Sequence, residues 1–507
     1  MCRVDRTRPP SPAPLSSHHI KKYTWDLCSY AALRAVWFYC PVVLLELRLT
    51  GIVKIRPLPA AHRLLSYELD LSKMPLSQQD FEKTWEAAGE NQAAHAIDAA
   101  WRRYQLVNSS DHTSKHESSD TTRAILEQSV DSLLQDPDIS KASASHHLIT
   151  LPANRIPWTP TDLNLKAGTT ISIFSSGRLW RSKLLDLWVG PQFGVWYRIG
   201  VNGRVFNSTA DSNTFVIGVP GELYIANQLP GWFTNPIGGR VSDSLGAYHA
   251  TQGKFELLVI VWKPGTDVQS LFHKTRLADD SPGAPFVKQE LERAKTEAER
   301  PTPPGWDFLW FLGRSTIYTS PAPASTTTTN IDQSKTPCIH CKPYENVGII
   351  QKDLEPTMSL KPGTKVSWDW LFASLPSRTR EDIDFTHDYL SVAFEFENGR
   401  DLTYTWSWEL PEEYGYWCPF PTWTDREYHV VIRSGTKLLR QWLGESRDIY
   451  ADYVKYIDDG KEDVEAMPKQ VVKVWLIATN MLQKHEGEMT VRALKITGSE
   501  GAVVEVI

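Results

Sequence analysis

The 507-residue chain has few cysteines and no long hydrophobic run. Six Cys in a chain of this length exclude a small scaffold held together by disulfides. No uncharged apolar stretch reaches the length of about eighteen residues that a membrane span needs, so we expect no transmembrane segment. The net charge of −6 leaves no basic surplus, which argues against a general nucleic-acid-binding protein.

The sequence also lacks the short motifs of several enzyme classes. It has no glycine-rich phosphate-binding loop and no G-x-S-x-G nucleophile elbow. What it has in excess is tryptophan, with twenty Trp in all and sixteen of them after residue 150. The length predicts more than one domain.

Residues 1–73 have the weakest pattern in the chain. They begin as Pro-, Ser- and Arg-rich coil, and their longest apolar stretch covers only residues 35–45. Met74 opens a stretch that has the features of a natural start. We therefore hypothesise that residues 1–73 are poorly ordered or are not part of the natural protein. Because no signal-peptide pattern is found, the sequence favours a cytoplasmic over a secreted location.

Residues 74–145 predict a helical region. Phe81 and Trp85 are four residues apart, and a second amphipathic pattern covers about residues 121–135. Neither pattern carries a polar group of residues suited to chemistry. We expect these helices to serve in docking or oligomerisation.

From about residue 148 short β-rich runs are separated by Gly, Pro and Asn. This spacing predicts two jelly-roll-like β-sandwich domains, at 148–277 and 305–507, with a linker helix at 278–304. The run FELLVIVW (255–262) is apolar in both alternating sets, which predicts a strand buried on both faces. The predicted fold class is mainly β, with an N-terminal helical region.

Residues 388–408 predict a β-hairpin. A two-residue turn would mix apolar and polar side chains on each face. A three-residue loop with Gly399 in the left-handed conformation pairs Phe394 with Leu402 and places every large apolar side chain on one face. Burial stabilises by roughly 1.5–3 kcal/mol for each large side chain, so we predict this bulged register.

Ten acidic residues lie between Arg378 and Glu413, counting the latter. The bulged register places Glu395 opposite Asp401, and two like charges there need a cation, an Arg or open solvent. We name Asp388, Glu395 and Asp401 as candidate ligand-binding residues. One interpretation is a calcium site or a carboxylate pair for glycan cleavage. The other, which we favour, is a solvated acidic edge, because structural charge networks are common.

Cys338 and Cys341 have the two-residue spacing of a zinc knuckle. A zinc site needs a second pair of ligands, and only Cys418 with His340 or His387 could supply it. We name the first two as candidate zinc ligands, and favour the simpler interpretation of two thiols in a loop.

The Trp-rich runs offer platforms on which sugar rings can stack. The hairpin register assigns Trp406 and Trp408 to the core. Trp417 and Trp423 lie in a loop (414–423) that contains Pro and Gly, so we expect both to be exposed and to bind a ligand.

The segments AGTTISIFSSG, WVGPQFGVWYRIG and SDSLGAYHATQGKFEL carry a family resemblance. Through them residues 148–265 resemble the β-sandwich of the PA-I-type galactophilic calcium lectins. The resemblance implies a galactose-binding-like fold and calcium as a candidate cofactor. Asp243 matches a calcium-binding Asp of that family, and Tyr248 and Trp180 are the candidate ligand-binding residues beside it.

The segments VSWDW, HDYLSVAFEF, LTYTWSWELP and ESRDIYADY carry a second resemblance. Residues 305–498 resemble an uncharacterised, mainly bacterial domain family of unknown function. The resemblance implies a β-sandwich related to carbohydrate-binding modules and implies no known activity.

These observations favour a lectin-like, carbohydrate-binding protein without a catalytic centre, whose ligand is a glycan or a protein. A glycan-acting hydrolase or lyase that uses acids in 381–413 is the first alternative. The second is an intracellular scaffold in which both sandwiches bind only protein.

Overall fold

The computed structural model describes residues 43–47, 52–57, 67–70, 92–107, 123–155, 158–183, 185–207, 210–227, 235–239, 251–309, 315–321, 337–420 and 423–507. The chain divides into two units, Met1–Ser109 and Ser110–Ile507. In the first unit β1 (Val43–Leu47), β2 (Ile52–Pro57) and β3 (Tyr67–Asp70) form one antiparallel sheet, and α1 covers Gln92–Val107. Most of residues 1–73 lie outside the described residues, so the hypothesis about that segment stays a prediction.

The second unit begins with helices and a β-sandwich. Its elements are α2 (Arg123–Gln135), α3 (Pro137–Ala142), β4 (Ser143–Pro152), β5 (Thr159–Leu165), β6 (Thr170–Ser182), β7 (Leu187–Val189), α4 (Pro191–Gly194), β8 (Val195–Ile199), β9 (Phe206–Asn207), β10 (Ser212–Val216), β11 (Gly221–Asn227), β12 (Gln252–Trp262), α5 (Val268–His273) and α6 (Ala284–Glu299). One sheet has the order β10-β6-β12-β4, with β7 beside β6, and the other has the order β5-β11-β8-β9.

Strand β12 is buried on both faces, which confirms the prediction from its sequence. Leu257 lies in the core between the two sheets. Leu258 points to the opposite face, where Leu126 of α2 and Val287 of α6 pack against it in a second cluster. The helices therefore cover the outer face of this sheet.

The rest of the second unit is a second sandwich. Its elements are β13 (Asp307–Phe308), β14 (Ile317–Pro321), β15 (Pro337–Cys341), β16 (Asn346–Ser359), β17 (Lys365–Ser374), a 3-10 turn (Asp384–Thr386), β18 (Leu390–Phe396), β19 (Asp401–Ser407), β20 (Gly415–Trp417), β21 (Glu427–Ser434), β22 (Leu443–Asp448), α7 (Ile449–Asp452), a π-helical turn (Tyr453–Ile457), β23 (Gln470–Asn480), β24 (Glu488–Thr497) and β25 (Val503–Glu505). A seven-stranded sheet has the order β13-β16-β23-β18-β19-β21-β20. The facing sheet has the order β14-β15-β24-β17-β22, with β25 beside β24. The fold is mainly β, as the sequence predicts.

The β18–β19 hairpin has the predicted bulged register. Phe394 pairs with Leu402, and the Phe396 N–H donates to the Arg400 carbonyl at 2.8 Å. Gly399 has a φ of +78°, the left-handed conformation that the three-residue loop requires. Burial of the apolar face therefore determined the register, against the preference for a two-residue turn.

Much of the tryptophan surplus lies in the core of the second sandwich. Trp368, Trp370 and Trp406 are at most 1% exposed, and the rings of Trp370 and Trp406 lie 6.2 Å apart. Trp408 packs against the same core from a half-buried position. None of the helices in the described part of the chain has the length and apolar composition that a membrane span requires.

Candidate functional site

The seven-stranded sheet has a polar outer face. Alternate residues of a strand point to opposite faces, and on β18, β19 and β21 the outward set is largely polar. β21 runs parallel to β19, with Asp401 opposite Glu427 and Thr403 opposite His429. The outward polar residues of these strands include Ser391, Glu395, Asp401, Thr403, Glu427 and His429.

Arg426 lies between the two carboxyl groups of the hairpin. Its Nη2 donates to Glu395 Oε2 at 3.3 Å, and its Nε lies 3.9 Å from Asp401 Oδ2. From β23, Lys473 Nζ lies 4.0 Å from Glu395 Oε2. The prediction left a cation, an Arg or open solvent as possibilities beside these two carboxyl groups, and the structure has an Arg.

Two tryptophan rings flank the Arg426 guanidinium. Its carbon lies 4.8 Å from the ring centre of Trp423 and 5.2 Å from that of Trp475. The Trp475 indole N–H donates to Glu395 Oε2 at 2.8 Å. Trp475 is buried and Trp423 is half-buried. We call this surface the Trp423 patch; it consists of Trp423, Glu395, Asp401, Arg426, Lys473 and Trp475.

The pKa values of the two neighbouring carboxyl groups of β19 and β21 are shifted in opposite directions. Burial, and then the charge of Glu427, raise the pKa of Asp401 well above its usual range. Burial alone would raise the pKa of Glu427 too, but His429 and the hydrogen bond from Tyr389 lower it to about 2. The environment therefore shifts the two pKa values in opposite directions, upward for Asp401 and downward for Glu427.

Asp388, the remaining acidic candidate, lies apart from the patch. It is fully buried, and its carboxylate accepts the backbone N–H groups of Met481, Leu482 and Gln483 at 2.6–3.2 Å. The side chain therefore holds the turn after β23 and is not placed to meet a ligand.

Other members of the acidic segment are buried as well. Glu381 is 2% exposed and accepts hydrogen bonds from the hydroxyls of Ser377 and Ser407. Burial raises the pKa of Glu381 to about 7. Asp382 is also buried and pairs with Arg380 at 2.6 Å. The interpretation of this segment as a solvated acidic edge is wrong for these residues.

Trp417 and Trp423 are both half-buried and not exposed as predicted, and they pack against different cores. Trp417 is the last residue of strand β20, not a loop residue. Trp417 is half-buried against the core of the second sandwich, with Tyr428 edge-on at 4.9 Å and Arg400 at 5.5 Å. Trp423 packs against the cluster that joins the outer face of the seven-stranded sheet to the first sandwich. The structure therefore brings Trp423, Glu395 and Asp401 together and leaves Trp417 elsewhere.

Trp180 is half-buried on β6. Its ring centre lies 6.2 Å from that of Trp188, which has Arg178 at 4.1 Å and Lys484 at 3.9 Å. Asp243 and Tyr248 lie outside the described residues. The calcium and sugar site that the lectin resemblance implies therefore stays a prediction.

The structure does not bring the thiols of Cys338 and Cys341 together. Both are buried cysteines of β15 that form no disulfide, and they are not loop residues. Residues three apart in a strand point to opposite faces, so their sulfur atoms cannot turn to one ion.

The sequence interpretation missed Arg426, Lys473, Glu427 and His429 as site residues. The alternation of Glu427 and His429 with apolar neighbours was a readable signal for a strand with one polar face. Nothing in the sequence indicated the parallel pairing that places this strand beside Asp401.

Comparison with solved structures finds low similarities, and no curated protein matches the chain. The N-terminal domain of EclA, a PllA-like lectin, is 17% identical with a TM-score of 0.18; the match covers 22% of this chain and 94% of that one. The family 11 carbohydrate-binding module of the Clostridium thermocellum cellulase Lic26A-Cel5E is 12% identical (TM-score 0.19; 39% and 90% covered). The CBM22 tandem domain of Paenibacillus barcinonensis Xyn10C is 8% identical (TM-score 0.19; 71% and 93% covered).

The family comparison concerns the second sandwich. The sequence places an uncharacterised domain family at residues 305–498, and this expectation is confirmed. Residues 316–494 match the family described as "Protein of unknown function (DUF3047)".

Proposed function

We propose that the protein binds carbohydrate without transforming it, and that the Trp423 patch of the second sandwich is the binding surface. The observation that carries the proposal is the convergence of a half-buried Trp ring with a carboxyl group, an Arg and a Lys on one sheet face. Sugar rings present an apolar C–H face to an aromatic ring and hydroxyl groups around their edge. In the patch the Trp423 ring can contact the C–H face of a sugar, and Glu395 and Arg426 can form hydrogen bonds with its hydroxyl groups.

The hydrogen-bonding groups of the patch suit neutral hydroxyl groups. Glu395 and Asp401 accept hydrogen bonds, whereas Arg426 and Lys473 donate them. Because the cluster contains both acidic and basic side chains, it favours neither a positively nor a negatively charged ligand. We therefore expect a neutral oligosaccharide.

The acidic residues of the segment favour binding over cleavage. Glycoside hydrolysis needs two carboxyl groups that reach the sugar from either side of the scissile bond. Glu381 and Asp388 are buried and hold backbone or hydroxyl groups, and Glu395 and Asp401 share one Arg on one face. The hydrolase or lyase alternative predicts that a bound oligosaccharide is converted into product. If no product forms, this alternative is excluded.

Replacing Trp423 by Ala is expected to weaken oligosaccharide binding at least about tenfold, because an aromatic anchor contributes more than about 1.4 kcal/mol. The measurement is calorimetric titration of the full chain with cello-, xylo- and galacto-oligosaccharides, each with and without calcium. Trp417→Ala removes another half-buried Trp, six residues earlier at the end of β20, and should bind as the wild type does.

Three results would contradict this proposal. Equal binding by Trp423→Ala and the wild type would exclude the patch. If the wild type binds none of these oligosaccharides, the alternative of a protein-binding scaffold would be favoured instead. Binding that needs calcium and is lost in Asp243→Asn would place the site in the first sandwich, as the lectin resemblance implies.

A further inference from the structure

The outer face of the seven-stranded sheet carries a second, fully buried group of side chains beyond the Trp423 patch. His387, Cys418 and His429 are at most 1% exposed. One ligand atom from each lies within 4.8 Å of the other two. They come from three separate segments: the turn before β18, the residue after β20, and β21. The fold, and not local sequence, therefore brings these three metal-ligand types together.

His387 is oriented so that one nitrogen is available as a ligand. Its Nδ1 lies 2.5 Å from the Glu381 carbonyl oxygen, which can only accept a hydrogen bond, so Nδ1 carries the proton. Its Nε2 therefore has a lone pair, and this atom faces Cys418 Sγ at 3.5 Å. A backbone carbonyl that fixes the far nitrogen of a histidine is the usual support of a metal-binding imidazole.

The separation of sulfur and nitrogen agrees with a shared zinc ion. Zinc binds sulfur at about 2.3 Å and nitrogen at about 2.0–2.1 Å, so a tetrahedral site places the two atoms about 3.5 Å apart. The Cys418–His387 pair already has that spacing. The limit of 4.8 Å for the whole group is wider than this spacing, so binding of an ion would require the ligand atoms to move closer by about 1 Å.

His429 distinguishes a metal site from ordinary packing. It is 0% exposed, and neither ring nitrogen has a hydrogen-bond partner among the described residues. Its Nε2 lies 3.5 Å from Glu427 Oε1, which is too long for a good hydrogen bond. A Cys418 thiol that donates to His387 would explain that pair, but both ring nitrogens of the buried His429 would still lack a hydrogen-bond partner, which is unfavourable.

The Glu427 carboxylate lies beside the group. Its Oε1 lies 3.5 Å from His429 Nε2 and accepts a hydrogen bond from the Tyr389 hydroxyl at 2.7 Å. A divalent ion would balance the carboxylate and stabilise the thiolate, with release of the thiol proton to solvent.

We propose that His387, Cys418 and His429 bind a zinc ion, with the Glu427 carboxylate beside them as the compensating charge. The ion would fix the loop between β20 and β21 to the turn before β18. That loop carries Trp423, so the metal would also hold the Trp423 patch in place.

The test uses the full chain purified in reducing buffer without chelators, with metal content measured by mass spectrometry. The wild type is expected to carry about one zinc ion per chain, and Cys418→Ser and His429→Gln to lose most of it. Cys341→Ser is the matched control, because it removes another buried thiol of the same sandwich and should keep the metal.

A second measurement does not depend on the folding of the variants. The wild type is stripped with a chelator and titrated with Co²⁺, and a stoichiometric visible absorption of tetrahedral cobalt with a thiolate charge-transfer band is expected. A wild type that neither carries zinc nor shows this spectrum overturns the proposal. Equal metal loss in Cys341→Ser and Cys418→Ser overturns it as well.

Discussion

Replacing Asp388 by Ala should lower the free energy of unfolding of the second sandwich by about 3–5 kcal/mol. The carboxylate accepts the N–H groups of Met481, Leu482 and Gln483, which are themselves buried. Without it these donors have no partner and no access to water, and each carries a desolvation cost. Urea unfolding followed by tryptophan fluorescence measures the effect.

Two comparisons show whether the hydrogen bonds are responsible. Asp388→Asn keeps one accepting oxygen and should lose less stability than Asp388→Ala. Asp425 is exposed, and Asp425→Ala should change the free energy of unfolding by no more than about 0.5 kcal/mol. Equal stability of Asp388→Ala and the wild type would mean that the turn after β23 does not depend on this carboxylate.

Replacing Gly177 by Ala should destabilise the first sandwich by about 3 kcal/mol or more. Gly177 has a φ of +105°, and a Cβ there would lie 2.3 Å from the Lys254 carbonyl oxygen of β12. The clash is with backbone of a central strand, so it cannot be relieved by a side-chain rotation. The shift of the thermal unfolding midpoint measures the loss.

Gly168 offers a matched control for the backbone conformation. Its φ is +81°, and a Cβ there would meet nothing within 4 Å. Gly168→Ala should therefore show the conformational cost alone, about 1 kcal/mol. If both variants lost the same stability, the close approach of β6 and β12 would have no energetic weight.

The sequence was informative where burial on one strand decides the outcome. The register of the β18–β19 hairpin followed from the alternation of apolar and polar residues in its own two strands. That register also predicted that Glu395 and Asp401 lie opposite each other and need a cation, an Arg or solvent beside them, and Arg426 lies there. The burial of both faces of β12 was equally local, because its two alternating sets are both apolar. In each case the determining residues lie within one short segment.

Features that depend on distant segments could not be predicted. The pairing of β19 with β21 is parallel and follows a connection through the Trp-rich loop, which no turn signal indicates. Asp388 was predicted to lie on a solvated edge because its hydrogen-bond donors are distant in sequence: they are the backbone N–H groups of residues 481–483, which follow 93–95 positions later. The sequence spacing suggested a zinc site at Cys338 and Cys341. In the structure, the side chains that lie close enough to share an ion are His387, Cys418 and His429.

The strand order of the second sandwich has a consequence for its synthesis. β23 lies between β16 and β18, and β24 lies between β15 and β17, although both follow their neighbours by many residues in the chain. When translation has reached only β22, the nascent chain therefore has four unpaired strand edges, because β23 and β24 are not yet present to pair with their neighbours. Unpaired strand edges favour aggregation. Nascent chains should depend on chaperones until residues 470–497 leave the exit tunnel and fill the middle of both sheets.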